Sequence, residues 1–196
     1  MDLHDELRKR GGPIDILYLH GWILWASWGV LGMIQIVSLR YLPSYNICCT
    51  KTIKNFNMLL HLSSGVLILI ATLTMSLLAL EYYDWTLRWN QSLHSAFGLG
   101  IMFATIFVTL LGFIAWLGSL YGGRRCPNQH KITRVLHKYI GYILVAFSQV
   151  AIILGVIKYN ERTGNFTLGA INIAAFFSLW AFLEVVHQLK LRRLSF

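Results

Sequence analysis

Four histidines stand at similar places in four apolar stretches of the chain, each near the amino-terminal end of its stretch. They are His20, His61, His94 and His137. Ionisable side chains inside a membrane are energetically unfavourable and rare, so each is by default a candidate for function. A neutral imidazole is a common metal ligand. The residue type therefore predicts either metal ligation or anchoring of a helix end at the membrane surface, and the arrangement of the four favours ligation.

The elements that must position these side chains are predicted to be membrane-spanning helices. A helix of about 20 apolar residues crosses the roughly 30 Å of hydrocarbon in a bilayer. Such stretches run at about 14–39, 58–80, 93–120, 135–157 and 166–189. Of the 196 residues, 56% are hydrophobic and only 13% are charged, against about 25% charged in soluble domains. We therefore expect an all-α integral membrane protein with five transmembrane helices, of which the first four form a four-helix bundle.

The transmembrane domain is predicted to cover residues 14–189, with its charged residues mainly in the loops between the apolar stretches. A polar tail is predicted at 1–13 and a basic tail at 190–196. The net charge of +9 would suit nucleic acid in a soluble protein, but here Lys and Arg lie in loops between apolar stretches. Eleven of the 17 Lys and Arg residues lie on the same side as the carboxyl terminus, and loops rich in these residues stay on the cytoplasmic side. We expect the amino terminus outside, the carboxyl terminus in the cytoplasm or mitochondrial matrix, and no nucleic-acid partner.

The alternating direction of the helices sorts the histidines into two pairs. Successive helices run oppositely, so His20 can face His94 on the outer side and His61 can face His137 on the inner side. A porphyrin iron with two axial ligands needs two imidazoles at one depth, and helix bundles commonly hold cofactors between facing helices. A single zinc site would need its ligands in one shell, whereas the pairs are about 20 Å apart by helix length. The sequence predicts two b haems, with these four histidines as the iron ligands.

Glycine follows three of the histidines by four residues. These glycines are Gly65, Gly98 and Gly141. Residues i and i+4 share a helix face, so a missing side chain there would let the edge of a porphyrin approach the backbone. Small residues also let membrane helices pack closely. We assign the three glycines to the predicted haem sites, with helix packing as the alternative.

Several segments resemble motifs of the cytochrome b561 family of transmembrane di-haem oxidoreductases, which includes ascorbate-dependent enzymes and ferric reductases. The segments are Ser92-Leu93-His94-Ser95 with Gly98, His20-Gly21-Trp22, and His137-Lys138-Tyr139-Ile140-Gly141, while Ala96 stands where the family often has Trp. The resemblance covers about residues 14–189. This part of the chain is similar to the core of the family variant that carries a DOMON domain, without that domain. It implies that His20 and His94 bind the non-cytoplasmic haem, and His61 and His137 the cytoplasmic one.

The resemblance also implies a cytoplasmic anion site for an electron donor. In ascorbate-using members an Arg and nearby Lys residues form this site, and Arg40, Lys51 and Lys54 look similar. Ser92, beside the outer ligand, is a further candidate substrate contact. A cationic patch would suit an anionic donor or the haem propionates. The same basic residues also fit an ordinary loop that sets membrane topology, and the sequence leaves both interpretations open.

One-electron transfer is the expected chemistry, because an iron with histidine on both axial positions has no open site for substrate. The resemblance implies electron flow from an inner ascorbate-like donor to an outer ferric chelate or monodehydroascorbate. Two alternatives remain open: a haem-bearing membrane subunit that exchanges electrons with quinone in a larger respiratory complex, and a structural subunit derived from the b561 family. The expected partners are the lipid bilayer, small redox molecules, and either a second copy of the chain or a larger membrane complex.

Overall fold

The computed structural model describes residues 16–41, 51–86, 90, 92–121, 127–163 and 167–193, and every regular element within these ranges is helical. The elements are α1 (Ile16–Trp25), a first π-helical segment (Ala26–Leu31), α2 (Gly32–Ile36), a second π-helical segment (Val37–Tyr41), α3 (Lys51–Tyr82), α4 (Leu93–Tyr121), α5 (Pro127–Thr163) and α6 (Thr167–Arg193). We call 16–41 the first helix. The predicted tail at 1–13 and residues 194–196 lie outside the described residues.

Four helices are long and apolar enough to cross a membrane. Their spans are Ile16–Ile36, Phe56–Tyr82, Leu93–Gly118 and Ile132–Lys158. These bounds agree with the first four predicted spans to within a few residues, and the prediction of an all-α membrane protein is confirmed. The fifth predicted span falls on α6, whose apolar part, Ile173–Leu189, is shorter.

The first helix, α3, α4 and α5 form a closed four-helix bundle. Each of these helices packs against the next, and α5 returns to contact the first helix, while α6 packs against α5 from outside. Large apolar side chains are left on the outer surface, including Leu93 (69% exposed), Phe103 (63%) and Phe182 (63%). Exposed apolar surface of this extent is unusual for a protein in water and suits contact with lipid.

Polar bonds between helices cross the centre of the bundle. The indole Nε1 of Trp28 donates to Thr72 Oγ1 at 3.1 Å, and Gln149 Nε2 donates to the main-chain oxygen of Trp28 at 3.2 Å. All three residues are buried. Because hydrocarbon offers no hydrogen-bond partner, polar groups at this depth must be satisfied by the protein itself. These bonds hold the first helix between α3 and α5.

The first helix changes from α to π geometry twice, although residues 16–41 contain no proline. At the first change the N–H of Gly32 bonds to the carbonyl of Ser27, five residues back. The hydroxyl of Ser27 donates to the carbonyl of Ile23 at 2.8 Å, and such back-bonding often bends a helix. A π turn contains one more residue than an α turn, so the side chains beyond it face a different direction from those of a continuous α-helix.

Candidate functional site

The structure brings the four histidines together in the two pairs that the alternating helix directions predict. The imidazole ring centroids of His20 and His94 are 6.3 Å apart, with an angle of 79° between the ring planes. Those of His61 and His137 are 6.0 Å apart, at 87°. The first pair joins α1 to α4, and the second joins α3 to α5. Each pair therefore links two different helices of the bundle.

Three of the four imidazoles are held in place by main-chain carbonyls of a neighbouring helix. The Nδ1 atom of His20 lies 3.2 Å from the oxygen of Met75, that of His94 lies 3.1 Å from Ala151, and that of His137 lies 2.9 Å from Val108. A carbonyl oxygen only accepts hydrogen bonds, so Nδ1 must carry the proton in each case. The other ring nitrogen, Nε2, is then left with its lone pair and can bind a metal ion.

His61 differs from the other three. Its Nδ1 is buried and has no hydrogen-bond partner among the described residues. Its main-chain oxygen instead accepts a hydrogen bond from Gln35 Nε2 at 2.7 Å. The two histidine pairs are therefore built from the same residue type but with different hydrogen bonding around one of the four rings.

Two glycines that the sequence reasoning missed make room for the rings on α4 and α5. A Cβ atom on Gly112 would lie 2.7 Å from Cε1 of His137, and one on Gly155 would lie 3.0 Å from Cε1 of His94. Real Cβ atoms almost never have contacts shorter than 3.0 Å. At Gly112, and nearly so at Gly155, a side chain on the facing helix would push the histidine ring away.

A spacing in the sequence would have pointed to these glycines. The carbonyl that accepts from His94 belongs to Ala151, which comes 14 positions after His137, and the one that accepts from His137 belongs to Val108, 14 positions after His94. Gly155 and Gly112 come 18 positions after His137 and His94, respectively. Eighteen residues are five helical turns, so histidine, carbonyl and glycine lie on one helix face. The residue 18 positions after each of the four histidines is small. In chain order these residues are Ser38, Ala79, Gly112 and Gly155.

The three glycines predicted from the His-to-Gly spacing are not equivalent. A Cβ on Gly98 or Gly141 would meet nothing within 4 Å, so the backbone is open beside His94 and His137. A Cβ on Gly65 would instead lie 2.8 Å from Gln35 Nε2. The space that Gly65 leaves is filled by the side chain of Gln35, which donates to the main-chain oxygen of His61. Gly65 is therefore a helix-packing position.

The predicted anion-site residues are only partly described. Arg40 forms a salt bridge with Glu184 of α6, in which Nη2 lies 2.8 Å from Oε1 and Nε lies 3.1 Å from Oε2. Hydrogen bonding to this carboxylate is the main cause that raises the pKa of the guanidinium. Tyr41 also donates to Glu184, at 2.8 Å. The side chains of Lys51 and Lys54 lie outside the described residues.

Ser92, the candidate contact on the other side, caps the amino-terminal end of α4. Its Oγ accepts the N–H of Ser95 at 3.1 Å and lies 2.8 Å from the hydroxyl of Ser95. Lys158 Nζ, from the far end of α5, donates to the same oxygen at 3.5 Å. The hydroxyl of Ser92, two residues before His94, therefore has the Lys158 ammonium beside it, at the end of the bundle opposite Arg40.

No cluster of three or more His, Cys, Asp or Glu side chains that could hold a metal ion occurs within the described ranges. Each histidine pair offers two ligands, so a metal bound there must take its remaining ligands from another molecule. Searches against family models, curated proteins and solved structures find no match to this chain.

Proposed function

We propose that this chain transfers single electrons across a membrane through two b haems, each held by one histidine pair. The geometry of the pairs carries the proposal. Two imidazoles that bind one metal ion through Nε2, at about 2 Å each, have ring centroids about 6 Å apart, and the observed separations are 6.3 and 6.0 Å. Haem b held by one of these pairs would supply one-electron chemistry, because its two histidine ligands would leave the iron no open position for substrate.

The surrounding groups support this use of the histidines. The carbonyls of Met75, Ala151 and Val108 hold three rings with Nε2 available, and such hydrogen bonds at Nδ1 also make the ring a stronger electron donor. The open backbone at Gly98 and Gly141 provides the space that a flat macrocycle beside the ring requires.

The similarity of the sequence motifs to the cytochrome b561 family supports a direction of transfer. With the basic loops on the cytoplasmic or matrix side, His61 and His137 form the inner site, while His20 and His94 form the outer site. In this direction His61 and His137 would hold the haem that takes an electron from an ascorbate-like donor, and His20 and His94 would hold the haem that gives it to a ferric chelate or monodehydroascorbate. Two sites divide a crossing of about 30 Å into shorter electron-transfer distances.

Proteoliposomes loaded with ascorbate test this proposal. With an impermeant ferric chelate outside, the purified chain should produce external Fe(II), and His61→Ala or His94→Ala should abolish the reaction. His187 provides a matched control, since it is a part-buried histidine of α6 whose ring contacts Tyr41 at 5.5 Å and lies outside both pairs. Rates that are equal in His94→Ala, His187→Ala and the unaltered chain would refute transmembrane electron transfer and favour a purely structural subunit.

A second candidate, exchange of electrons with a membrane quinone, is supported by a cleft at the end of the bundle where Arg40 lies. The cleft has a volume of about 480 Å³ and its lining includes the rings of Tyr142, Phe177 and Trp180, with the Arg40–Glu184 pair at its edge. Tyr142 follows His137 by five residues on α5. Pairing with Glu184 offsets the charge of Arg40, so the cleft suits an uncharged planar ring better than an anion.

The two candidates differ in the donor that reduces the bound haem. A short-chain quinol should reduce it quickly if quinone is the partner, and Trp180→Ala should slow that reaction without changing reduction by dithionite. Rapid reduction by ascorbate, with no effect of Trp180→Ala, would instead support the ascorbate-linked function.

A further inference from the structure

Lys158 lies on the face of α5 that is turned toward the ring of His94. Two other residues show where this face meets the ring: the carbonyl of Ala151 accepts from Nδ1 at 3.1 Å, and a Cβ on Gly155 would lie 3.0 Å from Cε1. Lys158 follows these two residues by seven and three positions, and such intervals keep side chains on one helix face. Lys158 is therefore about one turn nearer the outer end of α5 than Gly155, on the side that faces the outer histidine pair.

The side chain of Lys158 reaches α4 beside the same ring. Its Nζ lies 3.5 Å from Ser92 Oγ, and Ser92 comes two residues before His94. The ammonium is also close enough to the His94 imidazole for a coulombic interaction between the two groups. The contact with Ser92 and the register along α5 thus agree that the ammonium lies at the outer site.

The contacts of this ammonium among the described residues leave most of its hydrogen-bonding capacity unused. An ammonium has three N–H donors, and the bond to Ser92 Oγ, at 3.5 Å, is longer than the usual range of about 2.7–3.2 Å. The accepting oxygen is also shared, since it accepts the N–H of Ser95 at 3.1 Å. Lys158 is half-buried and is the last residue of the span Ile132–Lys158. A cation at such a depth favours a negatively charged partner.

We propose that Lys158 binds a propionate of the haem in the outer site. This inference rests on the proposed function. Haem b has two propionates, and because charge is unfavourable in hydrocarbon, these carboxylates must lie toward the polar edge of the membrane. His94 is the second residue of the span Leu93–Gly118, so that edge lies beside Ser92 and Lys158. An ammonium and a carboxylate form a charge-assisted hydrogen bond, which is roughly twice as strong as a neutral one.

A haem derivative without charged propionates isolates this contact. In haem b dimethyl ester both carboxylates are methylated, while the iron and the macrocycle are unchanged. The full chain with His61→Ala, in which only the outer pair is complete, is freed of haem in detergent and titrated with either compound. Lys158→Met should weaken the binding of haem b about tenfold, the size expected for a charge-assisted bond that is partly screened by solvent. It should leave the binding of the ester unchanged.

Lys138 provides the matched control. It is an exposed lysine next to His137 of the inner pair, and its Nζ lies 5.9 Å from the centroid of the Tyr139 ring. Lys138→Met should therefore change the affinity of the outer site for neither compound. Lys158→Arg should retain most of the affinity for haem b, because it keeps the positive charge. Lys158→Gln is a second neutral variant, with the same expected loss, for use if Lys158→Met does not fold.

The chain with both haems in place offers a second measurement. The bending band of the propionates in the resonance Raman spectrum responds to their hydrogen bonding, and one component of it should shift in Lys158→Met but not in Lys138→Met. Equal weakening of haem b and its ester would show that Lys158 acts through the packing of α5 or through lipid headgroups. That result, or an unchanged affinity for haem b, would overturn the inference. A chain that binds neither compound, even with His61 in place, fails the proposed function itself, which is a separate outcome.

Discussion

Gly112→Ala should remove one haem from the protein while leaving the fold in place. The new Cβ would lie 2.7 Å from Cε1, 3.0 Å from Nδ1 and 3.3 Å from Nε2 of His137. Favourable carbon contacts begin at about 3.5 Å, so the ring must withdraw by nearly 1 Å. That movement also lengthens the 2.9 Å hydrogen bond from His137 Nδ1 to the Val108 carbonyl. The substitution therefore disturbs both the position of a proposed iron ligand and its orientation.

The magnitude follows from three opposing contributions to the free energy of unfolding. Overpacking destabilises by about 1–3 kcal/mol, and loss of the hydrogen bond by about 0.5–1.5 kcal/mol. Replacing a helical glycine by alanine stabilises by about 1 kcal/mol. The net destabilisation is about 0.5–3.5 kcal/mol, within the range that a folded domain tolerates. Affinity for haem at this site should fall by about 10–100-fold, as is typical when the groups around a metal ligand are disturbed.

Gly100→Ala is the matched control. Gly100 lies on the same helix, and an added Cβ there meets nothing within 4 Å. Purified in detergent, the Gly100 variant should hold as much haem per chain as the unaltered protein, and the Gly112 variant about half as much. Equal haem content in the two variants, with unchanged absorption spectra, would refute the proposal that His137 is an iron ligand whose ring needs the space at Gly112.

Three further predictions concern the other pair and the edge of the bundle. Gly155→Ala should lower haem content at the outer site, because its Cβ would lie 3.0 Å from Cε1 of His94, and titration of haem into the apoprotein would measure the loss. His94→Ala should halve the haem content whereas His187→Ala should not, and equal values in a pyridine haemochrome assay would argue against the assigned pairs. Glu184→Ala should lower the free energy of unfolding by about 1 kcal/mol, since its bonds to Arg40 are only partly shielded from solvent. An unchanged thermal midpoint in detergent would show that this salt bridge contributes nothing to stability.

The apolar spans and the pairing of the histidines could be predicted from the sequence because both depend on simple regularities. A bilayer imposes a minimum helix length, and consecutive spans must alternate in direction. From these two facts, the pairing of His20 with His94 and of His61 with His137 follows without any knowledge of side-chain packing. The structure places these rings 6.3 and 6.0 Å apart.

The features that the sequence did not reveal depend on local geometry or on distant contacts. The run from Ala26 to Leu31 contains no proline, so its sequence predicted a continuous α-helix, and the π turn is seen only in the structure. The turn nevertheless decides that Gln35 faces His61. The pairing of Arg40 with Glu184 joins residues 144 positions apart, and only the packing of α6 brings them together. Gly112 and Gly155 were detectable in principle, through the 18-residue interval from His94 and His137.

The haem content of the purified chain tests the central claim most directly. A pyridine haemochrome assay combined with quantitative amino-acid analysis gives the number of b haems per polypeptide, and the visible spectrum reports whether the iron has two nitrogen ligands. We predict two b haems per chain, both with the low-spin spectrum of an iron that has two histidine ligands. Protein that is folded and helical but binds no haem after expression with excess haem would contradict the claim.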